Sequence, residues 1–406
     1  MKVLIADKFE QAGRDQLAQV GCEVFYEPDL GADNLAAAVA QRDPDVLIVR
    51  SSKVGKEAVL AGKRLKLIIR AGAGYDTIDV DTASSEGVYV SNCPGKNAIA
   101  VAELTWSLIL CCDRRVPDQT IDLRAGRWNK KEYGKARGLY GRTLGVLGMG
   151  TIAREVIERA RAFGMPVVAW SRSLTPERAE ELDIRCAASP IKVAEQCDVL
   201  TVHVASTDET RHLVSAEVIA AMRPGAYLIN TSRGSVVDET ALAAGMAQKG
   251  IRAGLDVYEG EPSAGQATFD SPLARHESVY GSHHIGASTD QAQLAIAREA
   301  VDIVAHYRAT GVVNNCVNRA QRSTATCILT VRHRNRPGVL AQVFQVLSEA
   351  RINVEEMENV IYERAKAACA RIQLATPPTA EHMNKIHNSC EDILSMELTL
   401  IGPKGE

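Results

Sequence analysis

The chain has 406 residues, of which 46% are hydrophobic and 24% are charged. This length and composition indicate two or three globular domains and exclude a disordered chain. The formal net charge of -3 argues against a general nucleic-acid-binding protein, which needs a basic face to displace counterions.

The first ninety residues alternate short apolar runs with amphipathic stretches such as Gln11–Val20 and Asn34–Ala40. This alternation predicts a parallel sheet covered by helices. The strands are expected at Lys2–Ala6, Cys22–Tyr26, Val46–Val49, Leu67–Ile69 and Val88–Val90.

A longer predicted helix, Ile99–Cys112, precedes a second series of the same kind, and a long helix at Thr289–Thr310 follows it with no further strand. The series predicts a second doubly wound sheet. Its strands are expected at Thr143–Leu147, Val167–Trp170, Val199–His203, Tyr227–Asn230 and Ala253–Val257.

After a polar stretch the pattern restarts with CILTVRH and gives the order βαββαβ, with helices at Pro337–Ala350 and Ala380–Asn388. This order is typical of a compact α+β module. We therefore expect one domain at residues 1–93 with 287–310, a second at 94–286, a linker at 311–323 and a third at 324–406.

The ten cysteines are scattered and show no CxxC spacing. This distribution favours buried, reduced thiols, and we expect no metal site. No apolar run is long enough to span a membrane, and the amino terminus lacks the apolar stretch of a signal peptide. We expect a cytoplasmic protein without a membrane or nucleic-acid partner.

A glycine-rich turn connects a predicted strand to a predicted helix at Gly148-Met-Gly150-Thr-Ile-Ala153. Gly148 permits a tight turn, Gly150 lets a pyrophosphate approach the backbone, and Ala153 lets the helix pack closely on the strand. The free N–H groups of the helix then face the phosphates. The segment predicts a dinucleotide site.

The next predicted strand ends in Ser171-Arg172-Ser173, where such sites usually have a carboxylate for the ribose hydroxyls. An arginine binds a 2′-phosphate well, although a solvated surface arginine would look the same. The pattern slightly favours NADP over NAD.

Reduction of a 2-keto acid needs a cation for the carboxylate and carbonyl, an acid for the developing alkoxide, and a carboxylate beside that acid. Three later segments supply these types: Arg233 in NTSRGSVVDE, Glu261 with Asp256 in LDVYEGEP, and His284 in HHIGAST. Each residue also has an alternative interpretation. Arg233 could form an ion pair at a strand end, Glu261 could be a surface charge, and Asp256 could cap a helix or turn.

These segments, together with RAGAGYDTID and PGKNAIAVAELT, occur in the order found in the D-isomer-specific 2-hydroxyacid dehydrogenase family, which the whole chain resembles. The resemblance implies that Arg233 binds the substrate, His284 is the acid/base, and Glu261 pairs with His284. His283 stands where the family usually has proline. The implied cofactor contacts are Gly148, Gly150, Thr151, Ile152, Ser171, Arg172, Thr231, Ser232, Asp256 and Gly286.

Within the family, the chain is most similar to the branch that oxidises 3-phospho-D-glycerate in serine biosynthesis. The resemblance implies that the backbone of Ala73 and Gly74 holds the carboxylate. Polar and basic side chains around the substrate are implied at Arg50, Ser51, Arg70 and Asn97. The alternatives are an NADPH-dependent glyoxylate or hydroxypyruvate reductase and a nucleotide sensor without catalysis.

The segment HRNRPGVLAQVFQVLSEARINVEE resembles an ACT domain, a module that binds amino acids in many biosynthetic enzymes. His333, Asn335 and Asn353 match positions that contact L-serine in the resembling enzymes. The resemblance implies regulation by serine in a homotetramer. Another amino acid, or a purely structural role, remains an alternative.

Overall fold

The structure is a computed structural model, and it describes residues 1–262, 266–320 and 323–401. The chain forms two compact units, the first spanning Met1–Asn318 and the second beginning at Arg319. The first unit contains two parallel sheets, and the second contains one antiparallel sheet.

The first sheet is built from the five predicted apolar runs. Its strands and helices are β1 (Lys2–Ile5), α1 (Gln11–Gln19), β2 (Glu23–Tyr26), α2 (Gly31–Arg42), β3 (Val46–Val49), α3 (Lys56–Ala61), β4 (Leu67–Arg70), α4 (Val80–Ser85) and β5 (Tyr89–Asn92). All pairs are parallel, in the order β2-β1-β3-β4-β5. Every residue of β3 is buried, as expected for a strand covered by helices on both faces.

The second sheet has seven parallel strands in the order β12-β11-β10-β9-β6-β7-β8. The strands are β6 (Leu144–Leu147), β7 (Val167–Trp170), β8 (Arg185–Cys186), β9 (Val199–Val202), β10 (Tyr227–Asn230), β11 (Arg252–Leu255) and β12 (Val279–Gly281). The helices are α5 (Ala98–Arg114), α6 (Val116–Arg124), α7 (Lys130–Tyr133), α8 (Thr151–Ala162), α9 (Pro176–Glu181), α10 (Pro190–Ala194), α11 (Ala216–Ala221), α12 (Glu239–Lys249) and α13 (Asp290–Thr310).

The last of these helices returns to the first sheet. Ile296, Ala300 and Val304 of α13 are buried in the same core as Val3 and Ile5 of β1. The chain therefore leaves the first sheet after β5 and comes back through α13, so that a cleft lies between the two sheets.

The predicted linker at 311–323 starts too early. The Val317 N–H donates to the Val90 carbonyl at 2.8 Å, and the Asn318 side chain accepts from the Val90 N–H at 2.8 Å. These bonds tie residues 317 and 318 to β5 and make them part of the first unit. Residues 321 and 322 lie outside the described residues.

The second unit confirms the predicted order βαββαβ. Its elements are β13 (Cys327–Arg334), α14 (Val339–Glu349), β14 (Val354–Ile361), β15 (Ala367–Leu374), α15 (Ala380–Ser389) and β16 (Ile393–Leu400). The antiparallel strand order is β14-β15-β13-β16. Helix α14 begins two residues after the predicted Pro337, because Gly338 takes a left-handed conformation (φ 90°) as its N-cap.

All ten cysteines are free thiols, and five of them are buried: Cys22, Cys93, Cys112, Cys197 and Cys327. Across the described ranges, no helix combines the length and the apolar character needed to cross a bilayer.

Candidate active site

The glycine-rich turn lies at the carboxyl end of β6. Gly148 has a φ of +97°, and a Cβ on this residue would lie 2.3 Å from the His203 carbonyl oxygen. Gly150 precedes α8, and a Cβ there would meet no atom within 4 Å. The first glycine is therefore required by the protein itself, whereas the second leaves open space in front of the helix.

A groove runs along the carboxyl ends of the second sheet, as two connected cavities of about 390 and 400 Å³. Both cavities are lined by Gly150 and by His203, Val204 and Ala205. The ten predicted cofactor residues all line this groove: Gly148, Gly150, Ser171 and Arg172 the first cavity, and Gly150, Thr151, Ile152, Thr231, Ser232, Asp256 and Gly286 the second. The volume and elongated course suit a dinucleotide.

Arg172 shares the first cavity with a carboxylate that the sequence analysis missed, Glu209. The hydrogen bond from Thr207 is the main cause that lowers the pKa of Glu209. Glu209 follows β9 in a polar stretch, about forty residues after Arg172, so no local spacing points to it. This end of the groove thus offers both a cation and an anion.

His203 is a second groove residue that the sequence analysis missed. Burial lowers the pKa of its imidazole to about 3, which keeps the ring neutral at physiological pH. Its Nε2 is 2.9 Å from the Thr201 hydroxyl, whereas Nδ1 has no hydrogen-bond partner among the described residues. The Ser171 hydroxyl in the same groove is likewise buried without a described partner. Polar atoms of this kind fit a groove built for a polar ligand.

The predicted proton-transfer pair is assembled at the other end of the groove. His284 Nδ1 is hydrogen-bonded to Glu261 Oε1, and Glu261 Oε2 accepts from the Tyr258 N–H at 3.1 Å. Burial raises the pKa of Glu261, but the hydrogen bond and charge of His284 outweigh burial, and the net shift is downward. The carboxylate is therefore ionised beside the imidazole.

His284 has a left-handed backbone with φ of 53°, which is uncommon for histidine. Asp256 holds this conformation. Its carbonyl accepts from the His284 N–H at 2.8 Å, and its carboxylate accepts from the Ile285 and Gly286 N–H groups and the Ser282 hydroxyl at 2.7–2.9 Å. Asp256 lines the groove, as predicted, and it also fixes the loop that carries His284.

Arg233 follows β10, and its guanidinium forms a bidentate ion pair with Asp76. Arg233 Nη2 donates to Asp76 Oδ1 at 2.9 Å, and Nε donates to Oδ2 at 3.2 Å. Asp76 belongs to the loop after β4, on the other side of the cleft. No local sequence pattern points to Asp76, because Asp76 and Arg233 are 157 positions apart.

Four of the six predicted substrate residues line the same cavity as Arg233 and His284: Arg70, Ala73, Gly74 and Asn97. Burial, followed by repulsion from Arg233, lowers the pKa of Arg70 to about 10. The Arg70 Nε is buried without a hydrogen-bond partner among the described residues. Arg70 is therefore a charged group, poorly compensated, at the edge of the site.

Arg50 and Ser51, by contrast, are not among the residues that line this cavity. Their N–H groups donate to Asp7 Oδ2 at 2.6 and 2.9 Å, which fixes the loop after β3. The Arg50 side chain reaches toward Ser288, and burial lowers its pKa. These two residues stand beside the site rather than in it.

The three predicted regulatory residues do not meet within one copy of the second unit. His333 is 2% exposed, and its ring bonds to the Arg334 carbonyl and the Asn359 side chain. The Asn335 side chain donates to the Ala365 carbonyl. Asn353 precedes β14, at the opposite end of the sheet, because antiparallel pairing places Val354 beside Leu374 and Ile361 beside Ala368. A ligand that contacts all three residues would therefore have to lie between two paired modules, and this site stays a prediction.

Two parts of the chain match models of known protein families. Residues 106–286 match the family model described as D-isomer specific 2-hydroxyacid dehydrogenase, NAD binding domain. Residues 328–358 match the ACT domain model. A solved structure of NAD+-bound 3-phosphoglycerate dehydrogenase from Entamoeba histolytica superimposes with a TM-score of 0.65 at 25% identity, covering 79% of this chain and 99% of that one.

Two curated relatives are similar over most of the chain. D-3-phosphoglycerate dehydrogenase of Methanocaldococcus jannaschii is 37% identical over 320 residues, which is 77% of this chain and 59% of the relative. The chain thus spans less than two thirds of the length of that relative. Hydroxypyruvate reductase of Thermotoga maritima is 40% identical over 262 residues, which is 64% of this chain and 83% of the relative. The chain belongs to the D-isomer specific 2-hydroxyacid dehydrogenase family, and its second unit contains an ACT domain.

Proposed function

We propose that the protein is a D-3-phosphoglycerate dehydrogenase, which oxidises 3-phospho-D-glycerate to 3-phosphohydroxypyruvate with a nicotinamide cofactor. The observation that carries this proposal is the positive charge at the substrate end of the cleft. Arg70 and Arg233 line the cavity and Arg50 lies beside it, while Asp76 is paired with Arg233. A substrate with a carboxylate and a phosphate matches this surplus of positive charge.

The chemistry follows from the residues of the cavity. The Arg233 guanidinium donates to the carboxylate and the 2-oxygen of the substrate. His284 Nδ1 is engaged by Glu261, which leaves Nε2 as the ring nitrogen that exchanges a proton with the 2-oxygen. Glu261 stabilises the imidazolium that forms when His284 takes up this proton. Gly148, Gly150 and Asp256 of the groove would hold a nicotinamide dinucleotide, which would supply the acceptor for the hydride that leaves C2.

A substrate comparison tests this proposal. Turnover is measured with phosphohydroxypyruvate, glyoxylate and hydroxypyruvate, each with NADH and with NADPH. We expect the highest kcat/KM for the phosphorylated substrate. Arg50→Gln should lower kcat/KM for this substrate roughly tenfold or more. The value for glyoxylate should be nearly unaffected, because glyoxylate has no phosphate for the Arg50 guanidinium to bind. Arg124→Gln, a substitution of an exposed arginine in the last turn of α6, is the matched control.

A reductase of glyoxylate or hydroxypyruvate is the second candidate, and the similarity to the Thermotoga maritima reductase favours it. A higher kcat/KM for an unphosphorylated acid would select this candidate. Absence of turnover with every keto acid would leave the nucleotide sensor.

We further propose NADP as the cofactor, on the basis of Ser171 and Arg172 at the first cavity. Glu209 lines the same cavity and weakens this preference. Replacing Ser171 with Asp should shift the preference toward NADH, since a carboxylate accepts from the ribose hydroxyls and repels a 2′-phosphate. If the wild-type protein already uses NADH far better than NADPH, NAD is the natural cofactor.

For the ACT domain we propose serine binding between two copies in a homo-oligomer, with a tetramer as the expected assembly. Strand β14 lies at the edge of its sheet, and seven of its eight residues are exposed. An exposed edge strand is a template for pairing with another chain. Antiparallel pairing of two β14 strands would bring Asn353 of one copy near Asn335 and Asn359 of the other. Amide side chains can donate to a carboxylate and accept from an ammonium group.

Calorimetry with L-serine tests the regulatory proposal. Serine should bind, lower activity, and lose both effects in the Asn335→Ala/Asn353→Ala double variant, whose uninhibited turnover should stay close to that of the wild type. Glycine is the comparison ligand. No heat, no thermal shift and no inhibition at millimolar serine would exclude serine and leave another amino acid or a structural role.

A further inference from the structure

We propose that Asp76 is a positioning residue for the reaction, which sets the direction in which the Arg233 guanidinium faces the substrate. The inference rests on the proposed dehydrogenase function, since it assigns Asp76 a part in that chemistry. It concerns a residue that does not itself touch the reacting atoms.

The hydrogen bonds of Arg233 define which of its N–H groups remain for a substrate. A guanidinium has five N–H donors in a planar fork. Nε and Nη2 each donate to Asp76, and Nη1 donates to the Ser232 carbonyl at 2.8 Å. One N–H of Nη1 and one N–H of Nη2 are left for a ligand. Two parallel donors match the adjacent carboxylate and 2-oxygen of a 2-hydroxy acid.

The loop that carries Asp76 also contacts the guanidinium through Gly74. A Cβ on Gly74 would lie 2.2 Å from Arg233 Nη2, so the guanidinium packs directly on the backbone of that glycine. The ion pair with Asp76 holds it there. Arg233 is thereby placed against the backbone segment, Ala73 and Gly74, that the family resemblance assigns to the carboxylate.

Charge explains why an acidic residue is needed at this position. The Arg233 and Arg70 guanidinium groups are close enough for repulsion to contribute to the lowered pKa of Arg70. Burial raises the pKa of Asp76, but the hydrogen bond and charge of Arg233 outweigh burial and lower it. An ionised Asp76 thus offsets the repulsion between the two cations. Without it, Arg233 should turn away from Arg70 and out of the cleft.

The ion pair also connects the two sides of the cleft. Asp76 follows β4 of the first sheet, and Arg233 follows β10 of the second sheet. The orientation of Arg233 therefore depends on the cleft arrangement seen in this structure. The loss of Asp76 should lower kcat as well as weaken substrate binding, whereas dinucleotide binding along β6 and β7 should be preserved.

The test compares Asp76→Asn with Asp79→Asn. The asparagine at position 76 keeps the size of the side chain but removes its charge and turns an N–H2 group toward Arg233. Asp79 lies three residues further on and caps α4 through Thr82, and the described contacts do not link it to Arg233. The readouts are kcat and KM for the preferred keto acid, the Kd of oxalate as a substrate-like dianion, the Kd of the preferred dinucleotide, and Tm.

We expect Asp76→Asn to lower kcat/KM by roughly 10- to 100-fold, with part of the loss in kcat, and to weaken oxalate binding. The dinucleotide Kd should stay within about twofold, and Asp79→Asn should resemble the wild type. Asp76→Glu, which restores the charge, should recover part of kcat. If Asp76→Asn unfolds, Asp76→Glu is compared with the wild type. The longer side chain keeps the charge but shifts the carboxylate, so kcat and oxalate affinity should fall in part. Unchanged kcat and oxalate affinity would overturn the proposal.

Two other outcomes would overturn it. Asp76→Asn could retain kcat/KM and oxalate affinity within about twofold, or it could bind oxalate more tightly, which would mean that Asp76 competes with the substrate for Arg233. The proposed function would fail in a different way, because the wild-type protein would then turn over no keto acid. Oxalate binding would still report on the orientation of Arg233.

Discussion

At the residue scale, the environments of two adjacent histidines differ sharply. His284 has a left-handed backbone, a carboxylate on Nδ1 and an N–H bond to Asp256, and it lines the cavity with Arg233. His283 is exposed and does not line that cavity. A strained residue that is held by several bonds is typical of a functional position.

We therefore expect His284→Ala to lower turnover by roughly 100-fold or more, the usual contribution of a general acid or base. His283→Ala should change turnover far less. Steady-state rates with saturating cofactor measure both effects, and the dinucleotide Kd of each variant confirms an intact groove. Equal losses at the two positions would contradict the assignment to His284.

At the element scale, the two glycines of the turn between β6 and α8 have different roles. Gly148 is needed for folding, and Gly150 for ligand binding. Gly148→Ala forces a left-handed alanine against the His203 carbonyl, so it should destabilise the protein and lower Tm. Gly150→Ala meets open space and an ordinary φ of -71°, so it should leave Tm within a few degrees. It should nevertheless weaken dinucleotide binding at least tenfold, because the methyl group occupies space left for the pyrophosphate. Unimpaired binding by Gly150→Ala would show that no phosphate approaches there.

A second prediction concerns the amino ends of β1, β3 and β4, which Asp45 links. Its buried carboxylate accepts from the Lys2 N–H at 2.8 Å and from the Arg64 and Lys66 side chains at 3.1 and 3.3 Å. Burial raises the pKa of Asp45, but these hydrogen bonds outweigh burial and lower it. Because the folded-state pKa lies below the unfolded value of about 3.9, the carboxylate stabilises the fold above that pH and loses its effect as the pH falls through the folded-state pKa.

Asp45→Asn should therefore lower the free energy of unfolding by roughly 1–3 kcal/mol at pH 7. The difference from the wild type should shrink as the pH falls through the lowered folded-state pKa of Asp45. Urea unfolding at several pH values measures this. Asp43→Asn is the control, since Asp43 is more exposed and in a left-handed conformation that asparagine adopts readily. A difference that is independent of pH would contradict the electrostatic origin.

The extent to which sequence predicts these elements depends on their burial. Ten apolar runs in the first unit became strands within one or two residues of the predicted bounds, because parallel strands covered on both faces are continuously apolar. Strand β8 has two exposed residues, and β12 has three residues with one buried, so neither produces an apolar run.

The groove residues could be predicted where a motif is local, as with Gly148 and Gly150. The Asp76–Arg233 pair depends on tertiary structure alone.

At the scale of the whole molecule, the two units have separate cores. The buried residues of the second unit, such as Leu329, Val343 and Ile372, pack among themselves, and the cores of the two parallel sheets lie entirely within Met1–Asn318. Units with independent cores can fold independently.

A chain that ends after residue 318 should therefore retain a cooperative thermal transition and a per-site kcat close to that of the full chain. Scanning calorimetry and steady-state kinetics test this, and light scattering reports whether the oligomer persists. Serine sensitivity should disappear together with the second unit. A truncated chain that aggregates or loses its cooperative transition would show that the first unit depends on the second.

The burial of the cysteines has a practical consequence for chemical labelling. Cys186 in β8 is the exposed thiol, whereas burial raises the pKa of Cys93 and of Cys197 to about 12 and keeps both protonated. A maleimide dye should therefore attach first at Cys186 in the native protein. Cys186 lines the same surface depression as Ser171 and Arg172, so the attached dye should report nucleotide binding by a change in emission, without any substitution in the chain.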